Sequence, residues 1–208
     1  MTSVAVVDYG MGNRRSVEKA LEHVGARATV TSDHDEIRAA DGVIVPGVGA
    51  FPEAMRRLSA SGLDRVVCER AQQGAPVLGI CLGMQLLFDS SSEHEGAAGL
   101  GLVPGDVTVL DAGEGRLPHM GWNRVAFERP SALTEGLGEA AAFYHVHSYV
   151  CRPTDAGDVI GQAEHGERFA SIVERGNVAG VQFHPEKSSR DGLALLGNFV
   201  RACARVIA

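Results

Sequence analysis

The residues best placed to do chemistry lie in one stretch, Pro76-Val77-Leu78-Gly79-Ile80-Cys81-Leu82-Gly83-Met84-Gln85-Leu86-Leu87. A continuous apolar run enters Gly-x-Cys-x-Gly and leaves as a second apolar segment. That is the pattern of a strand, a sharp turn and a helix, with the nucleophile on the turn. Glycine two positions to either side removes Cβ atoms that would collide there. Sulfur at the helix start meets free N–H groups and the positive end of the helix dipole, which favour the thiolate. The following N–H, from Leu82, points toward the developing oxyanion.

A thiol nucleophile needs a base. Of eight histidines, His184 has a supporting context in Val181-Gln182-Phe183-His184-Pro185-Glu186. Pro185 biases His184 toward extended backbone, and extended backbone puts residues i and i+2 on one side. Glu186 can therefore reach the imidazole, fix its tautomer and stabilise the imidazolium, leaving the other ring nitrogen for sulfur. A third element is Val45-Pro46-Gly47-Val48-Gly49-Ala50-Phe51, a glycine-rich strand exit able to turn N–H groups toward an anion. No Gly-Lys-Ser/Thr follows it, and no GxGxxG opens the first helix, which disfavours a phosphate loop.

The elements that must carry these residues alternate in the first half. Val4–Val7, Ala28–Thr31, Val43–Val45 and Pro76–Ile80 read as strands. Between them Val17, Ala20, Leu21 and Val24 form a helical stripe closed by Gly25, and 52–58 and 63–73 read as further helices. Strands apolar on successive residues and separated by helices predict a parallel sheet covered on both faces. After Ser90 short strands follow at 101–110, 123–127, 143–150, 159–163, 170–174 and 178–183, and a last helix runs from about Asp191 to Val206. The expected fold is α/β and three-layered, with a central sheet that is mostly parallel with antiparallel additions. It forms one domain over residues 1–208, with ligands at the carboxyl ends of the strands.

Composition narrows the function classes. A chain of 208 residues with 45% hydrophobic and 22% charged residues is globular. Its net charge of −7, without a basic block, argues against nucleic-acid binding. Gly at 26 of 208 positions implies many tight turns. The four cysteines are scattered without metal-ligand spacing, so no metal is expected and a reducing, cytoplasmic setting is. The N-terminus reads as a strand rather than a signal peptide, and no stretch reads as a membrane span.

These motifs resemble the class I glutamine amidotransferases. Gly-Ile-Cys-Leu-Gly-Met-Gln from Gly79, Pro-Gly-Val-Gly from Pro46 and Phe-His-Pro-Glu from Phe183 carry the resemblance. Asp8-Tyr9-Gly10-Met11-Gly12-Asn13, Pro118-His119-Met120-Gly121-Trp122-Asn123, His147-Ser148-Tyr149 and Lys187-Ser188 resemble one branch, the glutaminase subunits of imidazole glycerol phosphate synthase. The resemblance runs the whole length, and the chain ends where a free-standing subunit is expected to end. The chain departs from the pattern at Arg14 and His145, where the family commonly has an apolar and an aromatic residue.

The resemblance implies a flavodoxin-like fold and a Cys81-His184-Glu186 triad that hydrolyses glutamine without a cofactor. It implies oxyanion donors at Leu82 and the Val48–Gly49 region, and substrate contacts from Gly49, Gln85, Ser148 and Tyr149. It also implies a (β/α)8-barrel cyclase partner that receives the ammonia, with Asn13, Trp122, Tyr144 and Lys187 at the contact. Two other readings compete: a stand-alone thiol hydrolase, and a non-enzymatic binding subunit. An exposed Trp122 and Lys187 beside the site would argue against the first.

Overall fold

A computed structural model describes residues 1–205. In chain order the elements are β1 (Ser3–Val7), α1 (Arg14–His23), β2 (Arg27–Thr31), α2 (His34–Ala39), β3 (Gly42–Gly47), α3 (Phe51–Ser61) and α4 (Leu63–Gln72). Next come β4 (Val77–Cys81), α5 (Leu82–Leu86), β5 (Phe88–Ser91), β6 (Ala97–Ala98), β7 (Val103–Val109), β8 (His119–Phe127) and β9 (Ala140–His147). β10 (Tyr149–Pro153), β11 (Val159–His165), β12 (Glu167–Arg175), β13 (Val178–Val181) and α6 (Ser189–Arg205) complete it. The expected end of the last helix, Val206, lies outside the described residues.

Strands β2, β1, β3, β4 and β13 lie side by side in that order, all parallel. Their apolar runs are explained by burial on both faces. Along β1, Val4 and Val6 pack with α1 and α6, through Leu21, Leu196 and Phe199. Ala5 and Val7 pack on the opposite face with Ile37 of α2, Phe51 and Leu58 of α3 and Val66 of α4. Period-2 alternation within an apolar strand thus feeds two cores, one per layer. Every residue of β3 and β4 is buried, which is what fixes the strand ends that carry Gly47 and Cys81.

Beyond β13 the sheet turns antiparallel through β12, β10 and β7, and β7 pairs with β5 in parallel. β8, β9 and β11 form a ribbon hung from β12. The expected strand 143–150 is two strands, β9 and β10, divided at Ser148. β9 pairs with β8, whereas β10 pairs with β7 and β12, so the chain must change neighbours there. β5 and β6 were not expected: Phe88–Ser91 buries only its ends and Ala97–Ala98 is two residues long, too little pattern to read.

Candidate active site

Cys81 ends β4 and opens α5 with φ 55° and ψ −113°, a conformation L-residues rarely adopt. The glycines beside it are dictated by space. A Cβ on Gly83 would sit 1.7 Å from the Val45 carbonyl oxygen, and one on Gly79 would sit 2.5 Å from the Gly83 oxygen. The elbow therefore presses the first turn of α5 directly onto the ends of β3 and β4. Cys81 is buried, with Sγ 3.7 Å from the Val146 oxygen and 3.9 Å from Gln182 Nε2.

β13 runs parallel to β4, with Val181 opposite Ile80, and His184 follows it three residues later. This neighbour relation joins segments a hundred residues apart. His184 lies beside Cys81, and its Nδ1 donates to Glu186 Oε1 at 2.9 Å, both side chains of that pair buried. Burial alone would lower the His184 pKa, but the hydrogen bonds to Cys81 and Glu186 and their charges outweigh it and hold it at about 9. The loop is pinned: His184 N–H donates to the Tyr144 oxygen at 2.9 Å, and the Ser188 hydroxyl donates to the His184 oxygen at 2.6 Å.

A cavity of about 170 Å³ opens at Cys81. Val48, Gly49, Leu82, Gln85, Ser148 and Tyr149 line it, together with Glu93 and His147. Six substrate and oxyanion residues expected from the sequence thus share one cavity. Gly49 has φ 104°, and the Leu82 N–H, at the start of α5, has no acceptor within the helix. Under the glycine turn the Tyr9 hydroxyl donates to the Pro46 oxygen at 2.6 Å, and burial pushes that phenol well above its ordinary range.

Asn13, expected at the partner contact, also touches the triad. It precedes α1 in the capping position but makes no capping bond; its amide donates to Glu186 Oε1 at 3.1 Å. Trp122 is 56% exposed and meets Tyr144 edge to face, centroids 6.3 Å apart, on the outside of the β8–β9 ribbon; Lys187 is exposed beside Glu186. The two departures also have local explanations. Arg14 pairs with Asp8, and His145 is buried with Nε2 accepting from Ser171 Oγ at 2.9 Å.

Three residues of the site carried no assigned role in the sequence. Gln182 bridges Gln85 (3.2 Å) and the Cys81 sulfur, Glu93 accepts from the Phe51 N–H at 2.8 Å, and His147 lines the cavity. Alternation around Gln182 marked only a strand, and the Ser-rich turn holding Glu93 carries no local signal.

Fold and site define a class, and the comparisons agree on it. The family model described as "Glutamine amidotransferase class-I" matches residues 5–203, and the chain belongs to that family of enzymes. A solved structure titled "Crystal structure of glutamine amidotransferase" shares the fold, with TM-score 0.77 and 21% identity over 97% of this chain and 98% of the other. PurLQS from Thermotoga maritima does so with TM-score 0.73 and 20% identity over 100% and 99%. Among relatives the similarity is to one particular subunit. "Imidazole glycerol phosphate synthase subunit HisH" of Moorella thermoacetica is 53% identical over 96% of this chain and 94% of the relative. The proteins of the same name from Bacillus cereus (50%; 94% and 93%) and Aquifex aeolicus (46%; 97% and 97%) are similar across almost the full length.

Proposed function

We propose that the protein is the glutamine-hydrolysing subunit of an imidazole glycerol phosphate synthase in histidine biosynthesis. It acts in the cytoplasm and passes ammonia to a barrel-type cyclase subunit. The observation that carries the reading is the buried Cys81–His184–Glu186 array at the mouth of a small polar cavity. Similarity to the HisH relatives supports the choice of synthase.

His184, held up at about 9, is protonated at neutral pH and stands beside the Cys81 sulfur. The sulfur attacks the glutamine carboxamide carbon, and the oxyanion is met by the Leu82 N–H and the Val48–Gly49 backbone. His184 gives its proton to the departing nitrogen; ammonia leaves and a glutamyl thioester remains. Water then attacks the thioester, His184 takes its proton, and glutamate and the starting pair are restored. Glu186 keeps Nδ1 protonated so that Nε2 faces sulfur. Among the described residues Glu93 is the one carboxylate lining the cavity, and it holds the substrate ammonium. Gln85, Ser148 and Tyr149 form the rest of the grip.

Free ammonia at neutral pH is mostly ammonium and no nucleophile, so direct transfer is required. Exposed Trp122, the half-buried Tyr144 it meets edge to face, and exposed Lys187 supply the surface for a partner, which disfavours a stand-alone hydrolase. The test uses the complex with its cyclase. Cys81→Ala is expected to abolish glutamine-dependent synthesis while leaving synthesis from added ammonium. With the wild type and amide-¹⁵N glutamine, label should enter the product undiluted by unlabelled ammonium. Glutamine turnover surviving in Cys81→Ala would reject the triad, and full dilution would reject direct transfer.

A further inference from the structure

The inner face of the β8–β9 ribbon holds a histidine cluster of which only His147 reaches the cavity. His119 of β8 faces His147 of β9 across the strand pair and stacks on His145 and His165, with ring centroids 5.1 and 4.3 Å apart. Among the described residues no group of three His, Cys, Asp or Glu side chains is arranged to hold a metal ion. The cluster must therefore be understood through its hydrogen bonds.

Those bonds have a direction, because a carbonyl oxygen can only accept. Asn123 Nδ2 donates to the Glu164 oxygen at 2.9 Å, which fixes the amide, and its second hydrogen goes to His119 Nε2 at 3.2 Å. His119 therefore carries its hydrogen on Nδ1 and donates it to His147 Nε2 at 2.9 Å. His147 in turn carries its hydrogen on Nδ1 and donates to the Tyr149 oxygen at 2.9 Å. Desolvation lowers His119 to about 4 and His147 to about 3, so both rings stay neutral in the cell. The Tyr149 oxygen also accepts from Gln85 Nε2 at 3.1 Å. Tyr149 follows Ser148 at the break between β9 and β10, and both residues line the cavity over Cys81.

We propose that Asn123, His119 and His147 are positioning residues, a one-way hydrogen-bond chain that fixes the Ser148–Tyr149 corner of the glutamine cavity. The proposal rests on the glutamine-hydrolysing reading of that cavity. The chain cannot reverse, because the carbonyl at its end has no hydrogen to give. It works as a strut: each ring is buried, each nitrogen is matched, and the last bond grips backbone at the point where two strands part. None of the three side chains hydrogen-bonds to the triad, so the effect falls on substrate binding rather than on the sulfur chemistry.

The test uses the full chain with its cyclase partner. In His147→Ala the glutamine KM is expected to rise on the order of tenfold, with kcat within about threefold and ammonium-dependent synthesis unchanged. His147→Asn, whose amide still donates toward the Tyr149 oxygen, should bring KM back to within about threefold of wild type. Independently, ¹⁵N-histidine NMR of the unaltered protein should show His119 and His147 as neutral Nδ1–H tautomers, the less common form. An unmoved KM in His147→Ala, a loss confined to kcat, no rescue by His147→Asn, or an Nε2–H tautomer at either ring would overturn the proposal. If His147→Ala fails to fold, the Asn variant and the spectrum still decide. A wild type inert toward glutamine would sink the functional reading instead, so the two failures are distinguishable.

Discussion

Glu186 is satisfied on one side only: Oε1 receives both His184 Nδ1 and Asn13 Nδ2, while Oε2 is buried with no partner among the described residues. Leaving such an oxygen unpaired costs roughly 1–3 kcal/mol, and the result is a carboxylate whose charge serves the imidazole. Asn13 pays into the same arrangement by leaving α1 without a side-chain cap. Glu93 presents the opposite case, a carboxylate with backbone support and an open side toward the cavity. In Glu93→Gln the bond from the Phe51 N–H can persist while the charge is removed. Glutamine KM should then rise on the order of tenfold or more, since charged hydrogen bonds contribute about 1.5–3 kcal/mol, with kcat within about threefold. Steady-state kinetics of the complex decide it; an unchanged KM removes Glu93 from substrate recognition.

At the scale of elements, the elbow between β4 and α5 stores backbone strain, because Cys81 carries a side chain at φ 55°. Such conformations cost of order 1–3 kcal/mol, and glycine is free of that cost. Cys81→Gly should therefore unfold at higher denaturant than Cys81→Ala, although both are inactive, reversing the usual penalty for glycine. Equal midpoints in urea would mean the turn is unstrained. This element was legible because its glycines, its cysteine and its apolar flanks are adjacent in the chain, and the parallel core was legible because strands buried twice are apolar throughout. The ribbon was only partly legible: His145 and His147 face inward on alternate residues of β9, with His119 of β8 opposite, yet nothing local distinguishes a buried histidine from an exposed one. Gln182 and Glu93 were opaque for the same reason, since what they do depends on residues brought from other elements.

For the whole molecule, the histidines divide into two populations with opposite pH dependence. Burial keeps His119, His145 and His147 neutral, lowering them to about 4, 2 and 3. The unfolded chain binds more protons than the folded one below pH ~6.5, so their contribution is complete above that pH and is lost as pH falls. His184 is raised to about 9, so its contribution is complete below pH ~6.5 and is lost as pH rises toward 9. Both are at full strength only around pH 6.5, where stability should peak. Desolvation raises Cys203 to about 12 and also raises Cys151, which steepens the alkaline fall above the ordinary thiol range. On the acid side, uptake of up to three protons on unfolding corresponds to a slope of roughly 4 kcal/mol per pH unit. Urea midpoints measured from pH 5 to 9.5 test this. His184→Ala should flatten the segment between pH 6.5 and 9 and leave the acid limb in place. A plateau from pH 5 to 6.5 in the wild type would show that the ribbon's histidines accept protons without unfolding, and would contradict the closed, neutral packing on which the ribbon's position beside the site depends.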